Sequence, residues 1–147
     1  MTRMTGGCQC GRVRYSVEVD SDHAYLCHCR MCQRATGGVA AAFKNVPRAA
    51  VTWEREPDRY VSSPIALRGF CSVCGTPLSF EFAEGGRNID LTVGSFDDPY
   101  RFRPTSHFGK ESWHEAWLDT STLPAERTDQ NASVVDRWMN AIGKLPD

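Results

Sequence analysis

Alternating apolar and polar residues predict that most of this chain forms short β-strands. In RVRYSVEV, residues 12–19, four apolar side chains alternate with Arg, Ser and Glu, which is the period of a strand with one buried face. LSFEF (78–82) and IDLTV (89–93) alternate in the same way, and the Gly-rich AEGGR between them predicts a hairpin. GGVAAAF and AVTWE are weaker strand candidates, and FDDPYRFRP, with its two prolines, is expected to form a loop.

One segment near the end of the chain has the period of a helix instead. The apolar residues of SVVDRWMNAIGKL fall on one helical face: Val134, Val135, Trp138, Met139 and Ile142. Ser133 and Asp136 predict a variant capping box at its start, and Gly143 would end it. The sequence therefore predicts a mainly β fold with a terminal helix over residues 130–143, in a single domain that spans residues 1–147.

Composition and charge restrict the class of protein. The apolar fraction of 41% and the charged fraction of 24% are ordinary for a globular domain, and 147 residues suffice for a hydrophobic core. Lys and Arg number 17 against 18 Asp and Glu, so there is no basic footprint for nucleic acid. The longest apolar run, VAAAF, is far shorter than the roughly 18 residues of a membrane span, and MTRMTGGCQCG does not read as a secretory signal. We therefore expect a cytoplasmic protein that binds neither nucleic acid nor membrane, in an oligomeric state that the sequence leaves open.

Cysteine is the one unusual feature of the composition. The seven cysteines occur in three groups, with the spacings C-x-C, C-x-C-x-x-C and C-x-x-C: Cys8 and Cys10; Cys27, Cys29 and Cys32; Cys71 and Cys74. Disulfides are disfavoured by the odd number and by a reducing cytoplasm, and isolated core cysteines would not cluster in this way. The spacing therefore predicts metal binding, with zinc as the expected metal.

The first and last groups are suited to sharing one closed zinc site. Cys8 and Cys10 lie two residues apart, so in an extended segment their side chains point the same way, and Gly11 allows a tight turn after them. Cys71 and Cys74 form a knuckle that is also followed by glycine. Because a structural zinc takes four ligands in a tetrahedron, the two pairs together predict a four-thiolate site that links distant parts of the chain.

The central group has three cysteines and no fourth. Cys27 and Cys29 share a face if the segment is extended, and Cys32 lies about one helical turn further along. Three protein ligands with an exchangeable fourth position are the pattern of a catalytic zinc. Three alternatives stay open: an inert site closed by a histidine, a swapped pairing such as Cys8 with Cys27, and an iron–sulfur cluster. The histidines available as a fourth ligand are His23, His28, His107 and His114.

The segments around the cysteines resemble a known family. GGCQCGRVRY, CHCRMCQRATGG and GFCSVCGTPL are similar to the glutathione-dependent formaldehyde-activating enzyme family, which also includes centromere protein V. The resemblance covers about residues 5–125 and extends to VGSFDDP and, more loosely, to HFGKESWHEAWLDTSTLP. It implies a β-tent fold of stacked antiparallel sheets with two zinc ions per chain. The structural zinc would lie at Cys8, Cys10, Cys71 and Cys74, and the open catalytic zinc at Cys27, Cys29 and Cys32.

The same resemblance implies a reaction. The family activity is that of a zinc-dependent carbon–sulfur lyase that joins a thiol such as glutathione to a small aldehyde such as formaldehyde. A zinc held by three thiolates is a weak Lewis acid, which favours presenting a deprotonated thiol over activating water. The alternatives are a non-catalytic two-zinc binding module and a thiol-based redox or zinc sensor. Side chains that could contact the carboxylates of glutathione, form a wall or relay protons are Arg30, Arg34, Lys110, Trp113, His107 and His114, and ordinary structural roles are the alternative for each.

Overall fold

The protein is described by a computed structural model over residues 1–145, and it is built mainly from β-strands. In chain order these are β1 (Thr2–Gly7), β2 (Arg14–Val19), β3 (His23–Cys27), β4 (Ala41–Pro47), β5 (Val51–Trp53), β6 (Asp58–Ser63), β7 (Ala66–Phe70), β8 (Pro77–Phe82), β9 (Asn88–Thr92) and β10 (Arg103–Phe108). Two α-helices accompany them: α1 (Arg30–Thr36) and α2 (Ala132–Ile142). The mainly β fold predicted from the sequence is confirmed.

The strands form two sheets. The smaller sheet has the order β1-β2-β5 and is antiparallel throughout. The larger sheet has the order β10-β3-β4-β9-β8-β7-β6, and only its edge strand β10 runs parallel to its neighbour β3. In that parallel pair Phe108 lies opposite Cys27, so the end of β10 arrives beside the central cysteine segment.

The two sheets stack through their apolar faces. Tyr15 of β2 contacts the ring of Trp53 at 5.1 Å and that of Phe96 at 5.6 Å, both edge to face. Its hydroxyl is hydrogen-bonded to the Ser95 hydroxyl at 2.8 Å, which satisfies the one polar atom of a buried ring. The same core cluster includes residues of the larger sheet, namely Val46, Leu78, Ile89 and Leu91. Burial of these side chains therefore holds the smaller sheet against the larger one.

Most predicted strands lie where the alternation placed them. The three segments with the clearest period of two became β2, β8 and β9, and β8 pairs with β9 as an antiparallel hairpin. Of the two weaker candidates, AVTWE contains β5, whereas GGVAAAF overlaps only the first three residues of β4. FDDPYRFRP is a loop only in part, because a short 3-10 turn occupies Pro99–Arg101 and strand β10 already begins at Arg103.

Helix α2 is confirmed, but its N-terminal cap differs from the predicted one. Asn131 is the N-cap, and its side-chain oxygen accepts a hydrogen bond from the Val134 N–H at 3.2 Å. The predicted box of Ser133 and Asp136 is wrong, because Ser133 already lies inside the first turn. Gly143 ends the helix as expected, with a φ of 72° that glycine adopts without strain.

The chain divides into two compact units, Met1–His114 and Glu115–Asp147. The first unit contains both sheets, α1 and all seven cysteines. The second contains short 3-10 turns and α2 within its described part. That residues 1–147 form one domain stays a prediction. Within residues 1–145, neither helix is long and apolar enough to cross a bilayer.

Candidate metal centres

The first and last cysteine groups lie together in the structure. The sulfur atoms of Cys8, Cys10, Cys71 and Cys74 are all within 4.8 Å of one another. The contacts are 3.5 Å from Cys8 Sγ to Cys10 Sγ and 3.7 Å from Cys10 Sγ to Cys71 Sγ, and no disulfide is formed. Four sulfurs about 2.3 Å from a tetrahedral zinc would be about 3.8 Å apart, so the donor set and its spacing fit such an ion.

Two similar turns bring these four sulfurs together. The Gly11 N–H donates to the Cys8 carbonyl at 3.0 Å, and the Gly75 N–H donates to the Cys71 carbonyl at 2.7 Å. Both glycines have a positive φ, 77° and 78°, which a residue with a Cβ rarely adopts. The Val13 N–H also donates to Cys8 Sγ at 3.2 Å. Each turn thus folds the chain back so that its second cysteine lies beside its first.

Polar neighbours stabilise the charged form of the Cys74 thiol and connect the two halves of this group. Hydrogen bonds from the Thr76 hydroxyl and N–H lower the pKa of the Cys74 thiol to about 5. Arg12, two residues after Cys10, lies 2.6 Å from the Asp58 carboxylate. That carboxylate also accepts from the Ser72 N–H at 2.9 Å, and Arg12 holds the pKa of Asp58 well below its usual range. An ion pair therefore ties one cysteine turn to the other.

The central group forms a second, smaller cluster. The sulfurs of Cys27, Cys29 and Cys32 are within 4.8 Å of one another, and the distance from Cys27 Sγ to Cys29 Sγ is 3.5 Å. Cys27 ends β3, whereas Cys29 is the N-cap of α1 and accepts a hydrogen bond from the Cys32 N–H at 3.3 Å. Cys29 is partly exposed, while the other two are buried. Within residues 1–145, no His, Asp or Glu atom joins either sulfur cluster.

His28, which lies between Cys27 and Cys29 in the sequence, is bonded to another imidazole and does not join these sulfurs. His28 is 2% exposed, and its Nε2 is hydrogen-bonded to His107 Nδ1 at 2.8 Å. Burial, with a smaller contribution from His107, lowers the pKa of His28. The Trp113 ring packs edge-on against both imidazoles, at 5.8 and 5.3 Å. This arrangement disfavours the inert site closed by a histidine.

The loop after β10 packs closely against the central cysteine segment. The His28 N–H donates to the Phe108 carbonyl at 2.8 Å. Gly109 follows with a φ of 70°, and a Cβ at this position would lie 2.7 Å from the Cys29 backbone nitrogen. Glycine is required here both for the backbone conformation and for the close approach.

Two buried polar residues that support the central group were not found from the sequence. Gln33, 6% exposed, donates to the carbonyls of His28, Val39 and Ser112 at 2.8, 3.1 and 3.0 Å. Cys32 and Gln33 follow Cys29 by three and four residues, which places them on the same side of α1. This spacing is the sequence signal that could have revealed Gln33.

Arg68 is the second of these residues. Its Nη2 donates to Cys32 Sγ at 3.2 Å, and its guanidinium carbon lies 5.0 Å from the centre of the Phe80 ring. Hydrogen bonds from Cys27 and from Arg68 lower the pKa of the Cys32 thiol to about 5. In a strand every second residue points to the same face, so Arg68 shares a face with Ala66 and Phe70. An arginine between two apolar residues on one face is the sequence signal that could have indicated its inward orientation.

The side chains proposed from the sequence as substrate contacts are only partly brought together. Lys110 Nζ lies 5.1 Å from the centre of the Trp113 ring, which places this cation beside the His28–His107 pair. Arg30 bonds to the Gln33 side chain on α1. Arg34 and His114 are exposed, without a place in either sulfur cluster, and the same holds for His23, which was considered only as a fourth metal ligand.

Comparison with known proteins places this arrangement among relatives. Residues 3–113 match the family described as "Glutathione-dependent formaldehyde-activating enzyme". A Schizosaccharomyces pombe protein described as an uncharacterized lyase is 28% identical over 85 residues, which are 58% of this chain and 62% of the relative, less than two thirds of its length. A crystal structure of a Rhodobacter sphaeroides protein is similar in fold, with a TM-score of 0.57 and 22% identity over 71% of this chain and 99% of that one.

Proposed function

Because the chain belongs to the glutathione-dependent formaldehyde-activating enzyme family, we propose that it is a zinc-dependent carbon–sulfur lyase. Its substrates would be a thiol of the glutathione type and a small aldehyde such as formaldehyde. A structural zinc would be held by Cys8, Cys10, Cys71 and Cys74, and a catalytic zinc by Cys27, Cys29 and Cys32. The lyase name of the Schizosaccharomyces pombe relative supports the reaction class. The cytoplasmic location stays a prediction.

The observation that carries this proposal is the unequal number of donors in the two sulfur clusters. One offers four thiolates, which complete a tetrahedron, and the other offers three. The cluster of three includes the partly exposed Cys29, so a small molecule can approach it from solvent. A site with a vacant ligand position and solvent access is suited to binding a substrate thiol.

The chemistry follows from the site and its neighbours. Cys27, Cys29 and Cys32 would hold the zinc ion and leave a fourth coordination position, where the metal would lower the pKa of a substrate thiol. The sulfur then forms a bond to the aldehyde carbon, and the π electrons of the carbonyl move to its oxygen, which takes up one proton. Arg68 offsets part of the negative charge that three thiolates gather, through its bond to Cys32. A proton relay through His107, which is exposed and bonded to His28 at its Nδ1, stays a prediction.

Exchange spectroscopy by NMR on an equilibrated mixture of formaldehyde and glutathione tests the proposal. Exchange is the proper readout because the uncatalysed addition already reaches equilibrium. We expect faster exchange with the two-zinc protein and none above background with Cys29→Ala that retains one zinc. Met31→Ala, at a 52% exposed position of the same helix, is the matched control and should retain activity. Failure of a protein shown to hold two zinc ions to accelerate exchange would contradict the proposal.

A further inference from the structure

Asp90 is a buried carboxylate without a cationic partner. It is 8% exposed, and within residues 1–145 no Lys, Arg or His nitrogen lies within 4 Å of its oxygens. By contrast, the buried Glu81 lies 2.9 Å from Arg59. The buried Lys44 lies 3.5 Å from the Asp20 carboxylate. Because a buried charge is costly unless it is paired, Asp90 calls for a cation that the described residues do not supply.

The groups around this carboxylate are neutral. The Asn45 amide donates to Asp90 Oδ1 at 2.8 Å, and the Asn88 amide donates in turn to Asn45 Oδ1 at 2.6 Å. Burial raises the pKa of Asp90, against a smaller opposing effect of its neighbours Asn45 and Tyr25. Within residues 1–145 the second oxygen, Oδ2, has no hydrogen bond within 3.5 Å, and the one enclosed side-chain atom without such a bond is Ser79 Oγ. Asp90 Oδ2 is therefore open to a ligand.

Asp90 lies on the face of the larger sheet that borders the cluster of three. Residues directly opposite one another in antiparallel strands share a face. Asp90 lies opposite Phe80 of β8, and Phe80 lies opposite Arg68 of β7. Phe80 packs against the buried group that includes Cys27 and Cys32. The Arg68 guanidinium carbon lies 5.0 Å from the centre of the Phe80 ring, and its Nη2 donates to Cys32 Sγ. Asp90 and the sulfurs are therefore on the same side of the sheet.

The spacing along this row of residues restricts the ligand. Adjacent strands are about 4.8 Å apart, so the backbones at Asp90 and Arg68 are about 10 Å apart. Arg68 contacts the cluster of three, so a ligand bound there through its sulfur must extend past the Phe80 ring to contact Asp90. The ammonium of cysteamine is too close to its sulfur for this. The ammonium of glutathione lies at the far end of the γ-glutamyl residue and has the necessary reach.

We propose that Asp90 binds the ammonium group of the substrate thiol, and that this substrate is therefore a thiol of the γ-glutamyl peptide class. An ammonium donates charge-assisted hydrogen bonds to a carboxylate and supplies the missing positive charge. The chain of amides from Asn88 through Asn45 holds the carboxylate in place for it. Asp90 takes no part in bond making and determines specificity only. The inference rests on the proposed function for its reaction, whereas the effect of Asp90 on affinity can be tested separately.

Isothermal titration calorimetry on the two-zinc protein compares glutathione with N-acetylglutathione. The acetylated peptide retains the thiol and both carboxylates, but its amino nitrogen carries no charge. We expect the wild type to bind N-acetylglutathione at least about tenfold more weakly than glutathione, as for the loss of hydrogen bonds between charged groups. Asp90→Asn should bind the two peptides with equal affinity, because the group that distinguishes them is gone.

Asp90→Asn should fold as well as the wild type. The amide has the shape of the carboxylate and retains an oxygen for the bond from Asn45. Because burial raises the pKa of Asp90, the ionised carboxylate is less favourable in the folded state than in the unfolded state, and this penalty is fully present at pH 7. The Tm of the variant at pH 7 should therefore not fall below that of the wild type.

Glu81→Gln is the matched control. Glu81 is a similarly buried carboxylate, 5% exposed, but it follows Phe80 directly and so points to the opposite face of the sheet. It is also paired with Arg59. This control should lower the Tm, because it removes one partner of a buried ion pair, and it should keep the difference in affinity between glutathione and N-acetylglutathione.

The outcomes distinguish this inference from the proposed function. Equal affinities of the wild type for the two peptides, or the same difference in the wild type and in Asp90→Asn, would overturn the ammonium site even if formaldehyde exchange is catalysed. A difference that depends on Asp90, without faster exchange of formaldehyde, would support the site and contradict the lyase. No measurable binding of glutathione to the two-zinc protein would contradict both.

Discussion

The two cysteine clusters of this protein offer the same donor atom, sulfur, but are built from different parts of the chain. In the cluster of four, both halves are tight turns closed by glycine, and an ion pair between Arg12 and Asp58 holds them together. In the cluster of three, all sulfurs come from one segment between β3 and α1. The first therefore connects residues about 60 positions apart, whereas the second adds no long-range link of its own. We therefore expect the cluster of four to stabilise the fold and the cluster of three to contribute little to its stability.

The surroundings differ in the same direction. Around the cluster of four, Thr76 and backbone N–H groups act as donors to sulfur, and the chain offers four sulfur ligands. Next to the cluster of three lie a buried arginine and an imidazole pair. Groups that can bind or transfer protons are thus found near the cluster that offers three sulfurs.

Removing a ligand from the cluster of four should have the largest effect. Structural zinc sites contribute about 10–16 kcal/mol in zinc-finger peptides, which equals or exceeds the total stability of about 5–15 kcal/mol of most domains. Cys71→Ala should therefore leave the protein largely unfolded, as measured by near-UV circular dichroism and zinc content. A folded Cys71→Ala variant that retains both zinc ions would contradict a structural role for the cluster of four.

Removing a ligand from the cluster of three should have a much smaller effect on folding. Cys29→Ala deletes one partly exposed thiol from a local site, so it should remain folded and hold one zinc per chain. Thermal unfolding and metal analysis check this, and the Tm should lie far closer to that of the wild type than the Tm of Cys71→Ala. Equal loss of structure in both variants would show that the two clusters have the same role.

Gln33 provides an intermediate test, because it orders the central segment without touching a sulfur. Its amide donates to three backbone carbonyls, and replacing it with leucine should cost about 1–3 kcal/mol of unfolding free energy. Zinc should also leave the cluster of three faster, as followed with a colorimetric chelator. The rate at which zinc leaves the cluster of four should equal that of the wild type. An equal acceleration of zinc release from both clusters would contradict a local role for Gln33.

The ion pair between the cysteine turns gives the smallest effect and a pH signature. Arg12 lowers the pKa of Asp58, so the folded state binds this proton less readily than the unfolded state. The stabilisation is therefore fully present above the unfolded pKa of about 3.9 and is lost as the pH falls further. Asp58→Asn should be less stable than the wild type at pH 7 by urea unfolding, and the difference should shrink below pH 4. A difference that grows on acidification would contradict the assigned ion pair.

Local sequence patterns predicted much of the fold. Strands β2, β8 and β9 have clear alternation because each buries one face. Gly143 ends α2 because the C-cap has the left-handed backbone conformation, which glycine adopts readily. Strand β10 was missed because all its residues are exposed and it pairs in parallel with a distant strand. Its position depends on tertiary contacts that no local pattern reports.

The sites show the same limit. Spacing and glycine placement suggested which cysteines share a cluster, because these features act within a few residues. Arg68 and Gln33 were missed because their importance depends on partners that only folding brings near: Arg68 lies 36 positions from Cys32, and Gln33 reaches Ser112.

The central claim is that one cluster is closed and the other has a free coordination position. Replacing the zinc of the cluster of three with Co²⁺ and adding glutathione tests it directly, because a new thiolate ligand increases the sulfur-to-cobalt charge-transfer absorption. We predict a saturable increase for the Co²⁺ in the cluster of three and no change when Co²⁺ occupies only the cluster of four in Cys29→Ala. An unchanged spectrum in the first case would contradict the account.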